Sequence, residues 1–124
     1  MVDVLLIDDD HQMRSLLREA LLIAGIEVET AADGAEAMHL FNSRPFKVVV
    51  TDIVMPDMDG FEVIFALRKV QPNAKIIAIS GGGRLDATDY LVTAQSFGVN
   101  ATFSKPIHRK ALIAKIQEFL SATE

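Results

Sequence analysis

At 124 residues, half of them apolar, the chain is long enough for one domain with a single core and too apolar to stay disordered. Twelve basic against seventeen acidic side chains give a net charge of −5, the wrong sign for direct nucleic-acid binding. The absence of cysteine excludes disulfides, thiolate metal sites and cysteine nucleophiles. Met1-Val2-Asp3 lacks a positive n-region, and the longest apolar run, 20–26, is interrupted by Gly25 and too short for a bilayer. A cytoplasmic protein without membrane contact is expected.

Strand and helix signals alternate along the chain. Residues 3–7 form an apolar run short enough for a buried strand, followed by Met13, Leu16, Leu17, Ala20, Leu21 and Ala24 at helical spacing. Gly25 is a natural stop for that helix. Residues 26–30 read as a second strand. Asp33 with Glu36 resembles a capping box for a helix to about residue 42. Residues 47–51 predict a third strand. After a loop carrying Pro56 and Gly60, the residues Phe61, Ile64, Phe65 and Arg68 start a helix that stops near Pro72. Residues 75–79 predict a fourth strand, broken by Gly81-Gly82-Gly83, and 86–97 a weaker fourth helix. Residues 101–104 predict a fifth strand. Pro106 suits the first position of a last helix, whose Leu112, Ile116, Phe119 and Leu120 share a face.

Such alternation implies βαβ units, a parallel sheet and helices on both faces. In open sheets of this kind, ligands bind beyond the carboxyl ends of the strands. Asp8, Asp9, Asp52, Ser80 and Lys105 all fall at such ends. Aspartate is a poor strand former, and carboxylates gathered there repel unless a cation joins them. Oxygen ligands of this type suit Mg²⁺, which keeps several waters and accepts phosphate oxygens. The pattern predicts a metal-assisted phosphate site. Asp10 reads as a helix cap rather than a ligand. His11, His39 and His108 lack any useful spacing and read as surface residues, while the Met and Phe residues fit a core.

Four pieces then carry a family resemblance: Leu6-Ile7-Asp8-Asp9-Asp10, Asp52-Ile53-Val54-Met55-Pro56-Asp57-Met58-Asp59-Gly60, Ile79-Ser80-Gly81 and Lys105-Pro106. Together they resemble the receiver domain of bacterial two-component response regulators, over the whole chain. The resemblance implies a single receiver domain, 1–124, with the α/β flavodoxin-like (βα)5 doubly wound fold and a parallel sheet of order 2-1-3-4-5. It implies Asp52 as phosphoacceptor, assisted by Lys105 and the Ser80 hydroxyl. Mg²⁺ would be held by Asp9, Asp52 and the Val54 backbone carbonyl, with Asp8 acting through water. Ser80 and Thr102 occupy the switch positions. A sensor histidine kinase or phosphotransfer protein would supply the phosphoryl group. A downstream protein, or an output domain of the same polypeptide, would read it at the face of the fourth helix, fifth strand and fifth helix. Such a domain is not a turnover enzyme; it catalyses only its own phosphorylation and dephosphorylation. No output domain is expected within these residues.

Departures from the family pattern are informative. Thr102 stands where receivers usually carry an aromatic switch residue, so output is expected through the loop after Ser80 and the next helix. Val54 and Gly82 offer no polar side chain to position a hydrolytic water, which predicts a persistent phosphoryl group. The glycine cluster lacks the G-x-G-x-x-G arrangement of a dinucleotide site and reads as a hinge. A haloacid-dehalogenase-like phosphatase uses similar parts, but its acidic pair follows its lysine, whereas Asp52 precedes Lys105. A flavin carrier would need a hydroxyl-rich phosphate loop where this chain has Asp8-Asp9-Asp10. A receiver that has lost phosphorylation is disfavoured by retention of all five site residues.

Overall fold

Val4-Leu5-Leu6-Ile7 and Val48-Val49-Val50-Thr51-Asp52 are buried at every position, which is why they read as continuous apolar runs rather than alternating ones. The computed structural model describes residues 2–53, 60–80 and 98–122, with the backbone alone for Gly60 and Ser80. Its strands are β1 (Val4–Ile7), β2 (Val28–Ala31), β3 (Val48–Asp52), β4 (Lys75–Ser80) and β5 (Ala101–Ser104). Its helices are α1 (His11–Ile23), α2 (Gly34–Ser43), α3 (Gly60–Val70) and α4 (Arg109–Ala122). The strands pair in parallel in the order β2-β1-β3-β4-β5, as the sequence leads one to expect. The expected helix over 86–97 lies outside the described residues.

Alternation along each strand divides the core between two layers. Val4, Leu6, Val48, Val50, Ile77 and Ile79 pack with Leu17 and Leu21 of α1 and Leu112 and Ile116 of α4. Leu5, Ile7, Val49 and Ile76 face the other way, onto Phe41 of α2 and Val63, Ile64 and Leu67 of α3. No described helix is long and apolar enough to cross a membrane.

Most element boundaries shift by a residue, and two starts shift by more, each for a local reason. The second strand begins at Val28 rather than residue 26, because Ile26 closes the end of α1. Its N–H donates to Leu21 O (2.9 Å) and that of Gly25 to Leu22 O (3.0 Å), the paired bonds of a Schellman cap. Gly25 takes φ +83° there, a left-handed conformation that favours glycine. The last helix starts at Arg109, not at Pro106. His108 caps it: its Nδ1 accepts from Ala111 N–H (3.2 Å), and its carbonyl accepts from Leu112 N–H (3.1 Å). The Lys105–Pro106 bond before it is cis. The expected Asp33–Glu36 box forms in a shifted version. Asp33 Oδ1 accepts from Glu36 N–H (2.8 Å), while Glu36 Oε1 reaches past the cap to Ala32 N–H (2.9 Å).

The amino-terminal end of the sheet is tied by polar side chains. Arg68 donates to the carbonyls of Pro72 (3.0 Å), Ala74 (2.7 Å) and Gly98 (2.8 Å) and to Asn100 Oδ1 (3.1 Å). Asn100 Oδ1 also accepts from Ile76 N–H (2.8 Å). Gln71 bridges α3 to the end of α2, donating to Phe41 O (2.6 Å) and Arg44 O (2.8 Å) and accepting from Phe46 N–H (2.8 Å). Loop carbonyls that would otherwise lack partners are satisfied this way.

Candidate functional site

Register brings the acidic groups together. Ile7 pairs with Thr51, so Asp8 and Asp52 are the next residues on adjacent strands. Asp52 pairs in turn with Ile79, and Ser80 with Ser104, the residue before Lys105. Four strand ends therefore deliver Asp8, Asp52, Ser80 and Lys105 to one rim. One carboxylate oxygen from each of Asp8, Asp9 and Asp52 lies within 4.8 Å of the other two. Asp8 and Asp52 are 2% and 4% exposed, whereas Asp9 is exposed. Lys105 Nζ donates to Asp52 Oδ2 at 2.7 Å and stands 4.0 Å from Asp8 Oδ2.

The turn after β1 is held by several bonds. Asp8 N–H continues the ladder to Ala31 O (3.1 Å), and Asp8 Oδ1 accepts from Asp10 N–H (2.9 Å). Asp10 is the cap expected of it, its Oδ1 accepting from Gln12 N–H (3.0 Å) and Met13 N–H (3.2 Å). Arg14 of α1 reaches back to Asp8 O (2.8 Å). This last contact was not apparent in the sequence, where Arg14 looks like one more polar residue on the solvent side of α1. His11, His39 and His108 are all exposed, as the sequence leads one to expect.

The charges of the rim are unequally balanced. Burial pushes the Asp8 carboxyl up to about 6; the bond from Asp10 N–H opposes this, Asp52 and Asp9 add to it, and Lys105 offsets part. For Lys105, burial alone would lower the ammonium's pKa. The hydrogen bond and charge of Asp52, with the charges of Asp8 and Asp10, outweigh burial and raise it. Among the described residues, one cation thus serves a cluster of three carboxylates. A hard divalent ion with oxygen preference matches what such a donor set lacks.

Thr102 is half-buried and pairs with Ala78. Phe103 packs toward α1 and α4, so alternation sends Thr102 to the opposite face of the sheet. A one-residue slip placing Phe103 in its position would reverse that facing. Val54, Gly82 and the loop expected to carry output lie outside the described residues.

A family model for the response regulator receiver domain matches residues 4–117. The chain belongs to this family. A response regulator receiver protein, CpdR of Brucella abortus, is 34% identical over 119 residues, covering 96% of this chain and 97% of that one. A probable transcriptional regulator, ycf27 of Cyanophora paradoxa, is 36% identical over 98% of this chain but only 49% of its own length. The chain thus spans nearly all of one receiver-family relative and about half of another. Among solved structures, the receiver domain of the Francisella response regulator 1452 superposes with a TM-score of 0.89 at 29% identity, covering 100% of both chains. As a receiver of two-component signalling, the domain carries its carboxylate cluster at the rim where doubly wound folds bind ligands.

Proposed function

We propose that residues 1–124 act as one receiver domain in which Asp52 accepts a phosphoryl group and thereby changes which partner the domain binds. The donor in this reading is the phosphohistidine of a sensor histidine kinase or phosphotransfer protein. An Asp52 carboxylate oxygen attacks phosphorus, the P–N bond breaks, and the leaving imidazole keeps the electron pair and takes up a proton. The product is an aspartyl phosphate. Phosphoryl transfer is mostly positioning and charge neutralisation, and Lys105 is suited to the latter. Its ammonium already meets Asp52 Oδ2 at 2.7 Å, on a side chain 23% exposed and so free to follow the charge onto a phosphoryl oxygen. Ser80, at the end of β4, is assigned to donate to another phosphoryl oxygen.

Asp9 and Asp52, with Asp8 through water and the Val54 carbonyl, are the assigned holders of Mg²⁺. When bound, Mg²⁺ would neutralise the charge on the transferring oxygens. The observation that most supports this reading is the meeting of three carboxylates within 4.8 Å beside one lysine. In this reading the domain catalyses only its own phosphorylation and dephosphorylation, in the cytoplasm. Its partner is a downstream protein or an output domain at the face of β5, α4 and the helix expected over 86–97, with no direct contact to nucleic acid or membrane.

The test is intact-mass spectrometry after incubation with acetyl phosphate and Mg²⁺. One phosphoryl group is expected on the wild type, with none after chelation and none on Asp52→Asn. Labelling of Asp52→Asn, or multiple turnover of a small phosphomonoester, would overturn it.

A further inference from the structure

Three consecutive aspartates leave β1, and the structure gives each a different task. Asp8 Oδ1 braces the turn through Asp10 N–H, and Asp10 Oδ1 caps α1. The Asp9 carboxylate has no hydrogen-bond or salt-bridge partner among the described residues, and its oxygen lies within 4.8 Å of those of Asp8 and Asp52. The direction in which Asp9 points is set by the peptide that joins it to Asp8. The carbonyl of that peptide accepts from Arg14 Nη1 at 2.8 Å. The guanidinium is steadied at its other end, where Nη2 stands 3.2 Å from His11 Nδ1. Its backbone is fixed as well, Arg14 N–H donating to Asp10 O (2.9 Å) in the first turn of α1.

We propose that Arg14 is a positioning residue for the acidic cluster: by clamping the Asp8 carbonyl it holds the Asp9 carboxylate toward Asp52. The proposal rests on the metal-binding reading of that cluster. Two effects of Arg14 oppose each other there. As a charge, a guanidinium beside a cation site repels the incoming ion, so its removal alone would tighten divalent binding. As a clamp, it fixes ligand direction, and loss of such outer contacts weakens metal sites by about 10–100-fold. The clamp dominates because its bond is short and half-buried, whereas its charge is partly screened by solvent.

The opposite signs make the test decisive. Mn²⁺ binding to the full chain is read by electron paramagnetic resonance, with Mg²⁺ as competitor and melting in chelator measured alongside. Arg14→Ala is expected to weaken binding roughly 10-fold. Arg14→Lys, which can still donate to Asp8 O, should stay within about threefold of the wild type. Gln71→Ala, at the far end of the sheet, controls for lost stability and should bind as the wild type does. Unchanged or tighter binding by Arg14→Ala overturns the proposal, as does an equal loss in Gln71→Ala. Should Arg14→Ala fail to fold, Arg14→Gln takes its place under the same criteria. Failure of the wild type itself to bind Mn²⁺ overturns the metal-site reading together with this one, whereas normal wild-type binding with an unaffected Arg14→Ala overturns this one alone.

Discussion

The two ends of the sheet treat buried polarity in opposite ways. At the amino-terminal end, Arg68 meets four acceptors and Gln71 makes three bonds, so the polar atoms there are matched to partners. At the carboxyl end, Asp8 and Asp52 are more deeply buried and, among the described residues, meet one lysine, with Asp9 close by. The bonds at one end hold helices to strands, and the other end gathers three carboxylates that could hold a cation. The contrast fits stability at the first end and the proposed ligand binding at the second.

The contrast can be broken most sharply by exchanging the expected phenotypes. Asp52→Asn should lose all acetyl-phosphate labelling while its chelated form melts within a few degrees of the wild type. Arg68→Ala should do the reverse. Leaving the half-buried Ala74 carbonyl without its donor should cost about 1–3 kcal/mol, a drop of several degrees in Tm by calorimetry, with Asp52 still labelled below the melt. Loss of labelling without loss of stability in Arg68→Ala would dissolve the division.

A smaller effect concerns pH. The folded Asp8 carboxyl titrates near 6, above its ordinary 3.8, so between these values the folded state holds more protons than the unfolded one. Its contribution therefore opposes folding at neutral pH and fades as pH falls through 6. In chelator, Asp8→Asn should be more stable than the wild type by on the order of 1–2 kcal/mol at pH 7.5. The advantage should shrink steadily toward pH 4, as followed by denaturant unfolding. The asparagine keeps the acceptor used by Asp10 N–H, so the turn is retained. Smallest of all, Ile23→Ser on the exposed side of α1, where Ile23 is 81% accessible, should change unfolding free energy by less than about 0.5 kcal/mol.

The strands were legible because burial on both faces leaves little but Val, Ile, Leu and Ala in β1, β3 and β4. Asp10 and Asp33 were legible as caps because capping is a local property of side chain and turn. Boundaries failed where a neighbour intervened. Ile26 looks like strand but completes the α1 cap, and Pro106 looks like a helix start but His108 performs the capping. At the rim, the carboxylates and Lys105 could be named from strand ends. The degree to which Asp8 is desolvated could not, since it depends on β2 and β3 closing over it. Arg14, Arg68 and Gln71 carry no sequence signal, because a polar residue that reaches a distant carbonyl looks the same in sequence as one in solvent.

The claim on which the rest stands is that the carboxylates of the rim form a single cation site. Calorimetric melting with and without Mg²⁺, on the wild type and on Asp9→Ala, tests it most directly. The wild-type Tm should rise with Mg²⁺, and the rise should be largely lost in Asp9→Ala. Equal Mg²⁺ responses in the two proteins would contradict it.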